Sequence, residues 1–165
     1  MRSNTFKKVI ARGKKFAIVA TRYHNTVMNG LLAGALRGLR ECCVRETDVV
    51  VVRVPGSFEI PLVAQRLLKT KKYAAVICLG AIIKGETRHD EFIAETVTNA
   101  LMQLGLDFST PVMLGVITAL KEAQAIARSR NDNENRGYQA ALSAVEMVYS
   151  NDFSHSVSTF TVKST

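Results

Sequence analysis

Short β-branched runs along the chain alternate with longer stretches whose apolar residues recur every three or four positions. Phe16-Ala-Ile-Val-Ala-Thr21 reads as a first strand. From Val27 to Cys43 the apolar residues fall at Met28, Leu31, Leu32, Ala35, Leu36, Leu39 and Cys43, one face of a helix. Asp48-Val-Val-Val-Val-Arg-Val54 is nearly continuous in apolar residues, the pattern of a strand in a sheet covered on both faces. Ser57-Phe-Glu-Ile-Pro61 opens a second helix toward Lys69, with Ser57 as its cap and Pro61 tolerated in the first turn, where no N–H is needed. Tyr73-Ala-Ala-Val-Ile-Cys-Leu79 predicts a third strand, and Pro111-Val-Met-Leu-Gly-Val-Ile117 a fourth. Between them Thr87-Arg-His-Asp90 fits the capping box of a helix that continues to about Leu104. Two more helical segments, over 119–129 and 136–150, flank the polar stretch Asn131-Asp-Asn-Glu-Asn135.

A β-α-β-α-β-α-β-α order with short links predicts a single-domain α/β protein of three layers, α/β/α, around a four-stranded parallel sheet. The domain spans 16–150, after an N-terminal segment 1–15 and before a Ser/Thr-rich tail 151–165 expected to be loosely ordered. In such sheets ligands gather beyond the carboxyl ends of the strands. The segments to search are therefore Thr21–Asn25, Pro55–Glu59, Gly80–His89 and the residues from Thr118 onward.

Composition narrows the classes. At 165 residues and 47% hydrophobic, the chain can bury a core without disulfides or metal. No stretch approaches the roughly 18 apolar residues of a membrane span. The basic N-terminus has no apolar signal core behind it, so a cytoplasmic protein with no membrane partner is expected. The three cysteines, Cys42, Cys43 and Cys78, have no metal-ligand spacing and read as reduced thiols. The net charge of +8 raises nucleic acid or an anionic substrate as partner. The basic residues are scattered and not interleaved with aromatics, as a single-strand binding surface requires, so no nucleic-acid partner is expected.

The richest of the four segments is Gly80-Ala-Ile-Ile-Lys-Gly-Glu-Thr-Arg-His89. Gly85 allows close backbone approach, and the N–H groups of Glu86 and Thr87, at a helix N-terminus, suit a phosphate. An ordinary capped glycine turn accounts for the same residues equally well. The segment is neither a P-loop nor a GxGxxG fingerprint. His89 sits at the same mouth, and histidine suits proton transfer near neutral pH, although a lone histidine is more often a surface residue. His24, beside Tyr23, is nearer the expected site than His155 in the tail. After the second strand, Ser57 and Glu59 could bind a polyol, while Phe58 reads as core. Arg128 has Gln124, not an acid, at i−4, which leaves it open to an anion. No metal cluster, catalytic triad or paired carboxylates emerge. The residues alone lead to an α/β enzyme or binding protein for a small phosphorylated ligand.

At these segments the sequence resembles the lumazine synthase family. The likeness runs from about Phe16 to Met147, with motifs in the family's order. They are Arg22-Tyr23-His24, Val54-Pro-Gly-Ser-Phe-Glu-Ile-Pro61, Leu79-Gly-Ala-Ile-Ile-Lys-Gly-Glu-Thr-Arg-His89, Gly115-Val-Ile-Thr118, Gln124-Ala-Ile-Ala-Arg128 and Asn135-Arg-Gly137. The resemblance implies a flavodoxin-like fold and a late step of riboflavin synthesis. In that step 5-amino-6-(D-ribitylamino)uracil and 3,4-dihydroxy-2-butanone 4-phosphate give 6,7-dimethyl-8-ribityllumazine, phosphate and water, with no cofactor. It further implies that Tyr23 stacks on the pyrimidine, that Ser57, Phe58 and Glu59 hold the ribityl chain, and that Ala81, Ile82 and Ile83 meet the pyrimidine edge. Backbone at Glu86 and Thr87, with Arg128, takes the phosphate, and His89 moves protons. Leu114 reaches a neighbouring subunit's ring, and Arg136 lies near that shared site.

The implied partners are the small-molecule substrates and further copies of the chain, in a homopentamer or a sixty-subunit shell, with riboflavin synthase a candidate partner enzyme. Some positions depart from the family's commonest pattern. Tyr23 replaces Phe or Trp, His24 stands where Asn is frequent, and Leu114 and Asp90 stand where aromatics are usual. The stretch 131–135 lacks the Gly-rich composition of shell-forming members, which favours the pentamer. Two other readings compete: a flavin- or nucleotide-binding protein of this fold without turnover, and a basic scaffold around nucleic acid.

Overall fold

Four strands form where the apolar runs stand, each displaced by at most a few residues from its expected bounds. The computed structural model describes residues 9–150. The tail 151–165, with His155, and the first eight residues of the segment 1–15 lie outside the described residues. The strands are β1 (Phe16–Thr21), β2 (Val49–Val54), β3 (Ala75–Ile83) and β4 (Val112–Ala119). The helices are α1 (Asn25–Glu41), α2 (Ile60–Lys69), α3 (His89–Phe108), α4 (Glu122–Ala127) and α5 (Arg136–Ser150). All strand pairs are parallel, in the order β2-β1-β3-β4. Phe16 is in register with Val49 on one side and Ala75 on the other.

Two apolar layers cover the sheet. Phe16, Ile18 and Ala20 of β1 and Ile77 and Leu79 of β3 pack with α1 and α5. The alternate residues Ala17, Val19, Val76 and Cys78 pack with α2 and α3. The three-layer parallel fold is thus the one expected, since side chains of successive strand residues point to opposite faces. Burial drives the Cys78 thiol well above its ordinary pKa, so it stays protonated and inert.

Four local expectations are corrected. The apolar run of β2 is not doubly covered: β2 is an edge strand, and Val51 is exposed. Ser57 does not cap the second helix. Instead Ser57–Glu59 form a 3-10 turn, and the Glu59 carboxylate accepts a hydrogen bond from the Gly56 N–H at 2.8 Å. Thr87 and Asp90 make no capping box on α3, which begins with Arg88 as an uncapped N-cap and runs on to Phe108. The helix expected over 119–129 shortens to α4, because Gln124 turns back to accept hydrogen bonds from the N–H groups of Leu120 and Lys121.

The chain leaves β1 for the edge strand β2 and then crosses to β3 on β1's other side. This reversal opens a crevice between the carboxyl ends of β1 and β3, the place where such sheets bind ligands.

Candidate active site

The crevice is lined from three directions. Beyond β1 come Tyr23 and His24, which holds a left-handed conformation (φ 59°) as N-cap of α1. Beyond β2 the chain is tied to β1, since the Arg22 N–H donates to Val54 O at 2.9 Å and Arg53 Nη1 to Thr21 O at 3.1 Å. This link sets Gly56 beside the ring of Tyr23. The following turn brings in Ser57, Phe58 and Glu59. From β3 come Ala81, Ile82 and Ile83, which are strand residues and not part of a loop, because β3 extends four residues past its expected end at Leu79. Gly85, Thr87 and His89 complete the rim of a cleft of about 660 Å³.

Polar and apolar parts are segregated within it. Tyr23 and Phe58 are 69% and 62% exposed, so two aromatic rings face solvent at the mouth. Phe58 is therefore not core, as its hydrophobicity suggested, but part of the cleft wall. Ser57 is buried, with its hydroxyl against Gly80 of β3. The N–H groups of Gly85, Glu86 and Thr87 take part in none of the backbone hydrogen bonds of the described loops. Thr87 lines the cleft, but Glu86 does not. No atom lies within van der Waals reach of a methyl placed on Gly85, so this turn is open. Such donors at the start of a twenty-residue helix suit an anion, through both hydrogen bonds and the helix dipole. His89 is exposed on the first turn of α3.

Leu114, Arg128 and Arg136 are elsewhere. They line a second depression, of about 1080 Å³, bounded by the end of β4, α4 and the start of α5. Ile82 and Asp90 line both depressions and form the wall between them. Within one chain, therefore, Arg128 is not gathered with Thr87 and His89. Nor does it lack an acidic partner: Glu134, six residues on, stands 3.5 Å from its Nη1. Both side chains are about half exposed, and such a pair is weak enough to exchange for a phosphate.

A family model described as 6,7-dimethyl-8-ribityllumazine synthase matches residues 13–151. The chain belongs to this family. The lumazine synthase assignment places it among the transferases of riboflavin biosynthesis.

Three lumazine synthase cleft residues escaped the sequence reading, Phe92 among them. Ile93 and Thr96 line the cleft below His89. Their signal was present, since they follow His89 at i+4 and i+7, the same face of α3. Asp90, read from the sequence as half of a capping box and as a replacement for the family's usual aromatic, has one carboxylate oxygen buried without a hydrogen-bond partner in the shared wall. Among the described residues no group of three or more His, Cys, Asp or Glu is arranged to hold a metal, and no helix is long and apolar enough to cross a membrane.

Proposed function

We propose that this protein condenses 5-amino-6-(D-ribitylamino)uracil with 3,4-dihydroxy-2-butanone 4-phosphate in the cytoplasm to give 6,7-dimethyl-8-ribityllumazine, phosphate and water. The observation that carries this reading is the gathering of Tyr23, Ser57, Phe58, Glu59, Ala81–Ile83, Thr87 and His89 into one cleft at the switch point of the sheet. Tyr23 stacks on the pyrimidine, whose edge runs along the end of β3. The Ser57–Glu59 turn receives the ribityl chain, with the second Glu59 oxygen accepting from its hydroxyls. The phosphate sits on the backbone N–H groups at Glu86 and Thr87. His89, beside it, passes protons as the imine forms and the phosphate departs. No cofactor takes part.

The site is completed by a second copy of the chain. Leu114, Arg128 and Arg136 face away from their own His89 cleft, so they serve a neighbour's: Leu114 over the ring, Arg128 on the phosphate and Arg136 close by. A guanidinium matches phosphate with two parallel hydrogen bonds. A closed ring of such head-to-tail contacts is the homopentamer.

The test is a steady-state assay with both substrates and no added metal, following the yellow, fluorescent product. Formation well above the spontaneous condensation supports the reading. A well-assembled protein that gives no acceleration would sink it. Tight flavin binding in that case would assign the cleft to a binding protein, a reading that the replacement of the usual aromatic by Leu114 already favours.

A further inference from the structure

Arg128 and Arg136 stand at the two ends of a nine-residue loop that folds back on itself: the Arg136 N–H donates to Arg128 O at 2.9 Å. Two long cationic side chains can act on one phosphate only if their backbones are held rigidly, because each lost rotamer weakens the grip. The buried tie that holds this loop to α1 and α5 is one amide. Asn135 has no exposed surface. Its Nδ2 donates to Gly30 O of α1 at 3.0 Å and to Arg130 O at 2.8 Å, and its Oδ1 accepts from the Tyr138 N–H at 3.0 Å. Both amide donors are thereby used, one toward α1 and one toward the loop, while the acceptor anchors the first turn of α5.

The approach of loop to helix is as close as backbone allows. A methyl on Gly34 would overlap the Asn135 amide, one on Gly30 would overlap Ser129 O, and one on Gly137 would overlap Leu31 O. The outer, exposed end of the loop is tied by Arg37 Nη2, which donates to Asp132 O at 2.6 Å. Arg37 also stacks on the Tyr138 ring, 4.0 Å from its centroid. None of these atoms belongs to either depression.

We infer that Asn135 is a positioning residue for phosphate: by tying the 128–136 loop to the backbone of α1, it fixes the separation and aim of the Arg128 and Arg136 guanidiniums. The inference rests on the reading above that Arg128 binds the phosphate of the four-carbon substrate with Arg136 close by. Asn135 lines neither depression, so its effect on the phosphate runs through these arginines.

The experiment compares Asn135→Ser and Gly34→Ala in the full assembled protein. The first replaces the carboxamide, with both its N–H donors and its carbonyl, by one shorter hydroxyl; the second keeps the amide and displaces it, so the inference stays testable if one of the two fails to fold. Each is expected to raise KM for the butanone phosphate about tenfold and KM for the ribitylaminopyrimidine less than twofold, since only the cation clamp is loosened. Adding Asn135→Ser to Arg128→Gln is expected to cost much less than the two effects summed, because both act on the same contact. Equal rises in both KM values, or full additivity, would overturn the inference and leave Asn135 a purely structural residue. Arg128→Gln alone separates the two readings. If it leaves KM for the butanone phosphate unchanged, the assignment of the arginines fails; if it raises KM while the assembled Asn135→Ser and Gly34→Ala proteins do not, only the Asn135 inference fails.

Discussion

His89 is exposed on an open rim, with its backbone N–H 3.5 Å from the Thr87 hydroxyl and no hydrogen bond to its imidazole from the described residues. Replacing it by alanine should therefore leave folding intact and remove only proton transfer. The expected result for His89→Ala is a fall in kcat on the order of a hundredfold with an unchanged thermal midpoint. Steady-state rates beside a melting curve check this. The opposite kind of residue is Asp48, buried at the foot of β2, where hydrogen bonding to Arg45 at 2.8 Å holds its carboxyl below the ordinary carboxylate range. A group whose pKa is lower folded than unfolded stabilises above its unfolded pKa, and that stabilisation is lost as pH falls through the folded value. The urea midpoint is thus expected to drop below about pH 4, and Asp48→Asn to flatten that drop while lowering the midpoint at pH 7. A wild-type acid limb that Asp48→Asn leaves unaltered would count against this pair. The thiols differ in the same way: Cys43 is exposed and Cys78 is fully buried with its thiol held protonated. A disulfide reagent at pH 8 is expected to modify Cys43 within minutes and Cys78 only after unfolding.

At the scale of elements, periodicity reads well wherever one physical term dominates. The stripe Met28–Leu39 made α1 legible because its residues are buried against a sheet. β2 misled because an apolar run marks a strand but not how many neighbours cover it; that is decided by which strand pairs next, a long-range fact. The caps misled for a related reason: Ser57 is drawn into the core beneath Gly80, so Glu59 takes the capping task. The stretch 131–135 reads as a polar linker, since nothing local distinguishes a solvated Asn from Asn135, whose partners Gly30 and Arg130 lie respectively 105 and 5 residues away. The glycine positions give this a stability test. Gly137 packs against the backbone of α1, whereas Gly85 meets nothing and has no left-handed φ. Gly137→Ala is expected to cost about 2 kcal/mol or more, and Gly85→Ala to stay within about 0.5 kcal/mol of wild type, in urea unfolding at matched protein concentration.

At the scale of the whole molecule, the described chain carries two depressions on either side of one wall, Ile82 and Asp90, and the proposed function makes them the two halves of a site shared between copies. Several large apolar side chains are exposed, among them Phe92, Met102 and Leu106 of α3, Leu114 of β4 and Leu120 just after it, the kind of surface that association would cover. The excess positive charge is placed apart from both halves at its densest: Lys14, Lys15, Lys71 and Lys72 gather at the amino ends of β1 and β3, the far end from His89. Charge therefore says little about the site, and the split says much. If each site takes His89 from one chain and Arg128 from the next, two defects in different chains can complement. His89→Ala subunits and Arg128→Gln subunits, each showing little activity alone when the butanone phosphate is held well below the raised KM, are expected to regain activity when unfolded together and reassembled. In a ring of head-to-tail contacts mixed at random from equal amounts, about a quarter of the interfaces join an intact His89 cleft to an intact Arg128. Recovery near a quarter of the wild-type rate is the expected outcome. Were both residues supplied by one chain, no mixture could contain an intact site, and activity would stay at the average of the two variants whatever the ratio of subunits.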